Sequence, residues 1–422
     1  MMARATLLLC AALLAAGTAR AYDVVRVTDD AYLNYMPSLI ERADGSLMIA
    51  YERLDSSFEN GDVMVTSSDD GAVWTTALEA VAGPGNERHP ALVELADGGY
   101  QVYYLSDETG GYRIHWASSP DGTGWTPRGT VDLGWTTENL VNPAVWREED
   151  GSLTMTYDYL SNGGYIAHSD DGITWDHGRT SVSDGSLNRV MRHSGGTYVA
   201  SYQKRTGAYY WQIDVFTRVS PDRVSWSPET RVTTNQNSHD PCPIELADGQ
   251  YALYYAKSTG GDPYDLRSVV SDDGTAWHSE EPWLAYGGWD TQPHPVLISP
   301  GAVAIAWPRG PAQTDTEVHF AIIDPPTDAA DEAVAVGPAL VARPNPSRGP
   351  IALAATGRGE TPGRISIFDT SGRLVCTLEP SPDGGFTWDG TNGTGERVAS
   401  GVYLARAEAA GEAATVKIVL VR

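Results

Sequence analysis

Apolar residues along the chain fall in short runs separated by turn residues, and the pattern repeats. A proline, a short apolar strand, a turn and an aromatic strand read MPSLIERADGSLMIAYE from Met36, HPALVELADGGYQVYYL from His89 and NPAVWREEDGSLTMTYD from Asn142. The pattern returns as RVMRHSGGTYVASYQ from Arg189, DPCPIELADGQYALYYA from Asp240 and HPVLISPGAVAIAWP from His294. Prolines 37, 90, 143, 241 and 295 sit at strand starts, where a missing N–H costs least. Asp-Gly pairs beginning at 44, 97, 150 and 248 supply the positive φ that tight hairpins need.

A second motif follows the first five units. Ser68-Asp69-Asp70-Gly71-Ala72-Val73-Trp74 recurs at Asp170–Trp175 and Asp272–Trp277, with degenerate copies at Ser118–Trp125 and Ser220–Trp226. The closing tryptophans, 74, 125, 175, 226 and 277, lie 51, 50, 51 and 51 residues apart. The Asp and Ser side chains of such a turn bond its own backbone, Gly takes the positive φ and Trp packs into the sheet, so the motif is structural. Each unit is thus about four short strands in about 50 residues, repeated six times. One such sheet cannot bury both its faces, and radial stacking predicts an all-β, six-bladed β-propeller over 22–326. The strand Asp23–Val27 is expected to complete the sixth sheet and lock the ring.

Residues 1–21 read as a secretory signal peptide: Arg4, an apolar run from Ala5 to Ala16 and an Ala19-Arg20-Ala21 cleavage pattern. The run is too short to span a bilayer, and no membrane span is expected elsewhere. The expected locale is secreted or at a bacterial cell surface. Residues 327–338 form an acidic, Pro-led linker, and 339–422 a small β-sandwich with runs such as Arg364–Phe368 and Val416–Val421. The 422-residue chain carries net charge -26 with pI near 4.6, which argues against nucleic acid as a partner. Beyond residue 335 nine Lys and Arg balance eight Asp and Glu, so the excess negative charge belongs to the repeat. Three cysteines exclude a disulfide scaffold, and Cys242 and Cys376, in different domains, are not expected to pair. No P-loop or dinucleotide turn occurs, so no cofactor is expected.

The repeated Asp boxes make 22–326 resemble the sialidase superfamily, the BNR-repeat propellers, which includes both enzymes and binding proteins. The tail quotes a second family. Pro344-Asn345-Pro346, IFDTSGRLV from Ile367 and WDGTNGTGERVASGVYLAR from Trp388 resemble the immunoglobulin-like module of flagellar hook-capping (FlgD) proteins and type IX secretion sorting domains. That likeness implies export through secretion machinery and surface display.

In such propellers the starts of the innermost strands and the ends of the second strands share one face around the central pocket. The starts here are polar: Arg88-His89, Asn142, Asn188-Arg189, His239-Asp240 and Gln292-Pro293-His294. Sialidases carry Arg-Ile-Pro in the first blade, whereas this chain has Tyr35-Met36-Pro37, so the arginine that forks a sugar carboxylate is missing. No Tyr stands at the sixth strand start to act as nucleophile. Glycoside hydrolysis needs two carboxylates; Asp240 and Asp158 are the best pair, with Asp107 and Asp290 behind them. His239 and His89 are suited to orienting a sugar or moving a proton. Arg88 and Arg189 suit a uronate or sulfate, and Asn142, Gln292 and His294 complete the expected glycan or polysaccharide site. The same set fits a polysaccharide lyase. A metal held by His89, His239 and His294 is a further option without a short ligand motif. The non-enzymatic reading is a displayed glycan- or protein-binding propeller, with Tyr103, Tyr104, Tyr254, Tyr255, Trp135 and Trp289 available for stacking.

Overall fold

The structure is a computed structural model. It describes residues 23–326, apart from 59, 137–138, 161–162, 210, 259–263, 285–287 and 300. It also describes 339–420, apart from 344–346, 348, 357–363, 370–371, 381–385 and 410–411. The leader, the linker and Pro344–Pro346 lie outside these residues. The described residues are all-β, and none of their elements is a helix long and apolar enough to cross a membrane.

The first four units each fold as a four-stranded sheet. Leu33–Glu41, Leu47–Leu54, Gly61–Ser68 and Leu78–Val81 form a four-stranded sheet. Three more four-stranded sheets begin at Arg88, Leu140 and Ser186. The fifth and sixth units are joined in one nine-stranded sheet. Trp289–Asp290 is the joint, pairing parallel to Tyr264 on one side and antiparallel to Arg309–Gly310 on the other. Asp-Gly hairpins behave alike in each unit: Gly45, Gly98, Gly151 and Gly249 have φ between 83° and 91°.

The N-terminal strand closes the last sheet as expected. Val25 and Arg26 pair antiparallel with Phe320 and His319, and Val27 N donates to Val318 O at 2.8 Å. A buried carboxylate fastens this closure: Glu317 accepts hydrogen bonds from Arg26 Nη2 at 2.8 Å, Asn34 Nδ2 at 2.9 Å and the Thr28 hydroxyl.

The box turns are built from their own side chains. In the third sheet Ser169 Oγ accepts from Gly172 N, and Asp171 Oδ1 accepts from Ile173 N and Thr174 N at 2.8 and 2.7 Å. The first, second, fourth and fifth boxes repeat the aspartate bonds through Asp70, Asp121, Asp222 and Asp273. Tyr103, Tyr104, Tyr254 and Tyr255 are at most 3% exposed. Tyr103 donates to Gly172 O at 2.7 Å in the neighbouring box, and Tyr255 donates to Glu280 within its own sheet.

Contacts divide the chain into two compact units. The larger holds most of 23–326; the smaller holds 40–49 and 65–78 together with the tail. Within the tail, two antiparallel sheets enclose one core of Ile351, Leu353, Ile365, Ile367, Phe386, Trp388 and Ile418. Trp388 Nε1 donates to Thr391 O at 2.8 Å, and Asp389 and Asn392 cap the turns that follow. Cys242 and Cys376 are buried free thiols.

Candidate active site

One backbone feature marks the starts of the inner strands. Met36, His89, Asn142, Leu187, Asp240 and Gln292 all have left-handed φ, between 46° and 57°. Five of these six precede a proline, a position that normally forces extended backbone. Each such residue costs about 1–2 kcal/mol. The strand register slips at the same place, between Arg88 and Ala91, Val141 and Ala144, Ser186 and Arg189, and His239 and Cys242. Repeated strained bulges at one end of successive sheets are the kind of over-determined geometry that marks functional sites.

The strain is held by side chains reaching from neighbouring sheets. Glu52 Oε2 accepts from His89 N at 2.9 Å, and Asp158 Oδ2 from Leu187 N at 2.7 Å. Gln203 Oε1 accepts from Asp240 N at 2.8 Å. Asp240 Oδ2 accepts from Gln292 N at 3.2 Å, and Gln292 Oε1 from Met36 N at 3.1 Å. Much of the polarity at the strand starts therefore stitches the ring together.

The remaining chemistry is sorted by what this stitching consumes. Asp158, 3% exposed, accepts from Asn142 Nδ2 at 2.7 Å, Asn188 Nδ2 at 2.6 Å and the backbone N–H groups of Leu187 and Asn188. Four bonds fill a carboxylate's acceptor sites. Burial pushes its pKa up, against these bonds. Arg88 is committed to the buried Glu52, with Nη2 3.2 Å from Oε1. His89 shares a short hydrogen bond between its Nδ1 and Asn142 Oδ1, and burial lowers its pKa. His294 Nδ1 accepts from Leu39 N at 3.2 Å; burial, helped by the Arg189 charge, takes its pKa down to about 3.

Asp240 and Arg189 are less engaged. Among the described residues Asp240 accepts through Oδ2 from Gln292 N, and its Oδ1 has no hydrogen bond. Burial raises its pKa, opposed by His239 and by Arg189. His239 is held low by burial, with Tyr264 OH 3.4 Å from its Nε2. The side chain of half-buried Arg189 makes no hydrogen bond or ion pair among the described residues, yet its charge acts on His89, Asp240 and His294. Arg189 lines a pit of about 10 Å³ with Met36, His89, Asn142, Leu187 and Asn188. That space holds about one water.

The other carboxylates are placed elsewhere. Asp107 accepts from Asn86 N at 2.8 Å. Asp290 is fully buried, takes the Trp307 indole N–H at 2.8 Å and has its pKa pushed up to about 6 by burial. Among the described residues no group of three or more His, Cys, Asp or Glu is arranged to hold a metal, so His89, His239 and His294 do not assemble a metal centre. Glu52 and Gln203, which hold His89 N and Asp240 N, are not singled out by the sequence. Their signal, a polar residue near the end of each second strand, is visible only once register is known.

Solved structures with the same fold were found by comparison. A protein of unknown function from Dyadobacter fermentans shares 17% identity, with TM-score 0.58 over 71% of this chain and 97% of that one. The Hadza microbial sialidase Hz136 shares 17% identity, with TM-score 0.56 over 69% of this chain and 66% of its own. An α-L-arabinanase of Penicillium chrysogenum shares 15%, with TM-score 0.55 over 71% and 97%. No family model and no curated protein matches the chain. The fold of the repeat is thus a β-propeller of the sialidase-like kind, common to sialidases and α-L-arabinanases.

Proposed function

We propose that the chain is a secreted carbohydrate-active protein, a six-bladed propeller that hydrolyses a glycan carrying a carboxylate or sulfate. Its tail is read as an immunoglobulin-like sorting module that carries it through secretion machinery to the cell surface. The observation that carries the functional reading is Arg189: a half-buried residue whose side chain has no hydrogen-bond or ion-pair partner among the described residues, lining a pit with His89, Asn142 and Asn188. Placing an unpaired cation there costs desolvation, which an anionic ligand group offsets by a charge-assisted, bidentate bond. Asp240, with a raised pKa and an uncommitted oxygen, is suited to protonating a leaving oxygen. His239 stands beside it as the group that tunes that proton.

A second reading follows from Asp158. Its carboxylate is saturated, so the opposing base of a hydrolase would have to break two of its bonds, whereas a binding pocket needs no second carboxylate. The two readings separate in a screen of the mature protein against uronate-containing, sulfated and neutral polysaccharides. New reducing ends mark hydrolysis, and an unsaturated uronate chromophore marks elimination. Retention of an anionic glycan without products supports the binding reading. Equal behaviour of Arg189→Ala and wild type on every anionic glycan would remove the basis of both.

A further inference from the structure

The propeller's large aromatic side chains are buried or half-buried with a few exceptions. Among the described residues the exposed ones are Tyr32, Tyr209 and Trp211. All three lie at one end of the sheets. Tyr32 directly precedes the first inner strand, Leu33–Glu41. Tyr209 and Trp211 lie in the hairpin between Tyr198–Arg205 and Ile213–Ser220. That hairpin is at the end of the sheet where Ser186 pairs with Gln203 and Arg189 with Ser201, the end that carries the candidate site. Among the exposed aliphatic residues, Val73, Ile173 and Val224 belong to box turns, at the opposite ends of their strands, whereas Leu160 follows the strand Leu153–Tyr159 at the site end.

Tyr209 and Trp211 are also ordered against each other. Their rings stack nearly parallel, 6° apart with centroids at 4.6 Å, yet they remain 57% and 47% exposed. The two rings face one another, and both side chains stay about half exposed. The hairpin beneath is braced: Gln212 Oε1 accepts from Tyr209 N at 3.0 Å, and Gln212 Nε2 donates to Gln236 Oε1 at 2.9 Å. Gln236 belongs to the segment that enters the strand bearing His239 and Asp240. The aromatic pair is thereby fixed to the same strand start as the uncommitted carboxyl.

We infer that Tyr209 and Trp211 form a sugar-stacking platform at the mouth of the propeller, which makes the ligand a glycan chain of several residues rather than a single terminal sugar. The inference rests on the proposed glycan site. A pyranose presents a face of C–H groups that packs on an aromatic ring while its hydroxyls stay hydrated, and a pre-stacked, braced pair gives that face a rigid partner at little ordering cost. Tyr32, which directly precedes the first inner strand and carries Arg53 over its ring at 4.8 Å, is a further exposed aromatic residue at that end.

The test uses the mature protein with galacturonate and its hexamer as probes, by calorimetry or intrinsic fluorescence. Trp211→Ala and Tyr209→Ala are expected to weaken hexamer binding about tenfold, about 1.4 kcal/mol, and monomer binding less than twofold. Trp211→Phe retains most of the hexamer affinity. Arg189→Ala weakens monomer and hexamer alike. Hexamer affinity within twofold of wild type in both alanine variants, with loss in Arg189→Ala, would overturn the platform and leave the site standing. Absence of any uronate binding by the wild type would overturn both.

Discussion

Replacing Asp158 by Asn separates a carboxylate that holds the fold from one that does chemistry. The native side chain receives Asn142 Nδ2, Asn188 Nδ2, Leu187 N and, more weakly at 3.4 Å, Asn188 N. An asparagine keeps one acceptor oxygen and puts an NH₂ group in place of the other. If that NH₂ replaces Oδ2, it faces Leu187 N and Asn142 Nδ2, two donors that cannot bond to it. If it replaces Oδ1, the 2.6 Å bond to Asn188 is lost. Each buried donor left unpaired costs about 1–3 kcal/mol, and bonds to a charged acceptor sit at the upper end. Relief of the buried charge offsets part of this, because burial already pushes the Asp158 pKa up. The net expectation is a destabilisation of about 2–3 kcal/mol. Leu187 is one of the left-handed residues, so its strand start would also relax and shift Arg189, two residues on. Urea unfolding followed by tryptophan fluorescence measures the first effect, and uronate affinity measures the second. Stability within 0.5 kcal/mol of wild type, the range of an ordinary surface change, would refute the stitching role, above all if cleavage were abolished at the same time.

Further outcomes follow from the same geometry. The folded state prefers Asp290 protonated, with its pKa near 6 against an unfolded value of about 3.9, so its contribution falls as pH rises through that window. Asp290→Asn keeps an acceptor for Trp307 and should raise stability at pH 7 relative to pH 4, read from urea midpoints across that range. His294 has the opposite sign: its pKa near 3 lies below an unfolded value of about 6.5, so stability is lost as pH falls from about 6.5 towards 3. His294→Gln should flatten that acid limb in the same titration. Asp171→Ala removes two turn bonds at an exposed box and should cost at most about 1 kcal/mol without altering glycan affinity. Loss of affinity in that variant would give the boxes a role they lack here.

The sheets were legible because their information is local and repeated. Trp at intervals of 50 or 51 residues, Asp-Gly hairpins and strand-start prolines each fix a strand boundary, and the closing strand followed from a sixth unit one strand short. The identity of the mouth residues was legible for the same reason. Their division of labour was not. Whether Asp158 or Asp240 keeps an oxygen to spare depends on bonds between sheets, from Asn142 and Asn188 to one and from Gln292 to the other. Likewise Arg88 and Arg189 both stand near strand starts, but Glu52 neutralises only the first. The left-handed backbone before proline runs against local preference, so no local rule announces it. The aromatic platform sits in a hairpin outside the repeat pattern, and Tyr209-Tyr210-Trp211 was its one visible trace.

The most direct test of the central claim is the cleavage rate of Asp240→Asn on whichever anionic glycan the wild type degrades. A fall of about 10²–10⁴-fold is expected, the contribution of a general acid, with affinity for that glycan retained through Arg189. Cleavage at the wild-type rate by Asp240→Asn would contradict it.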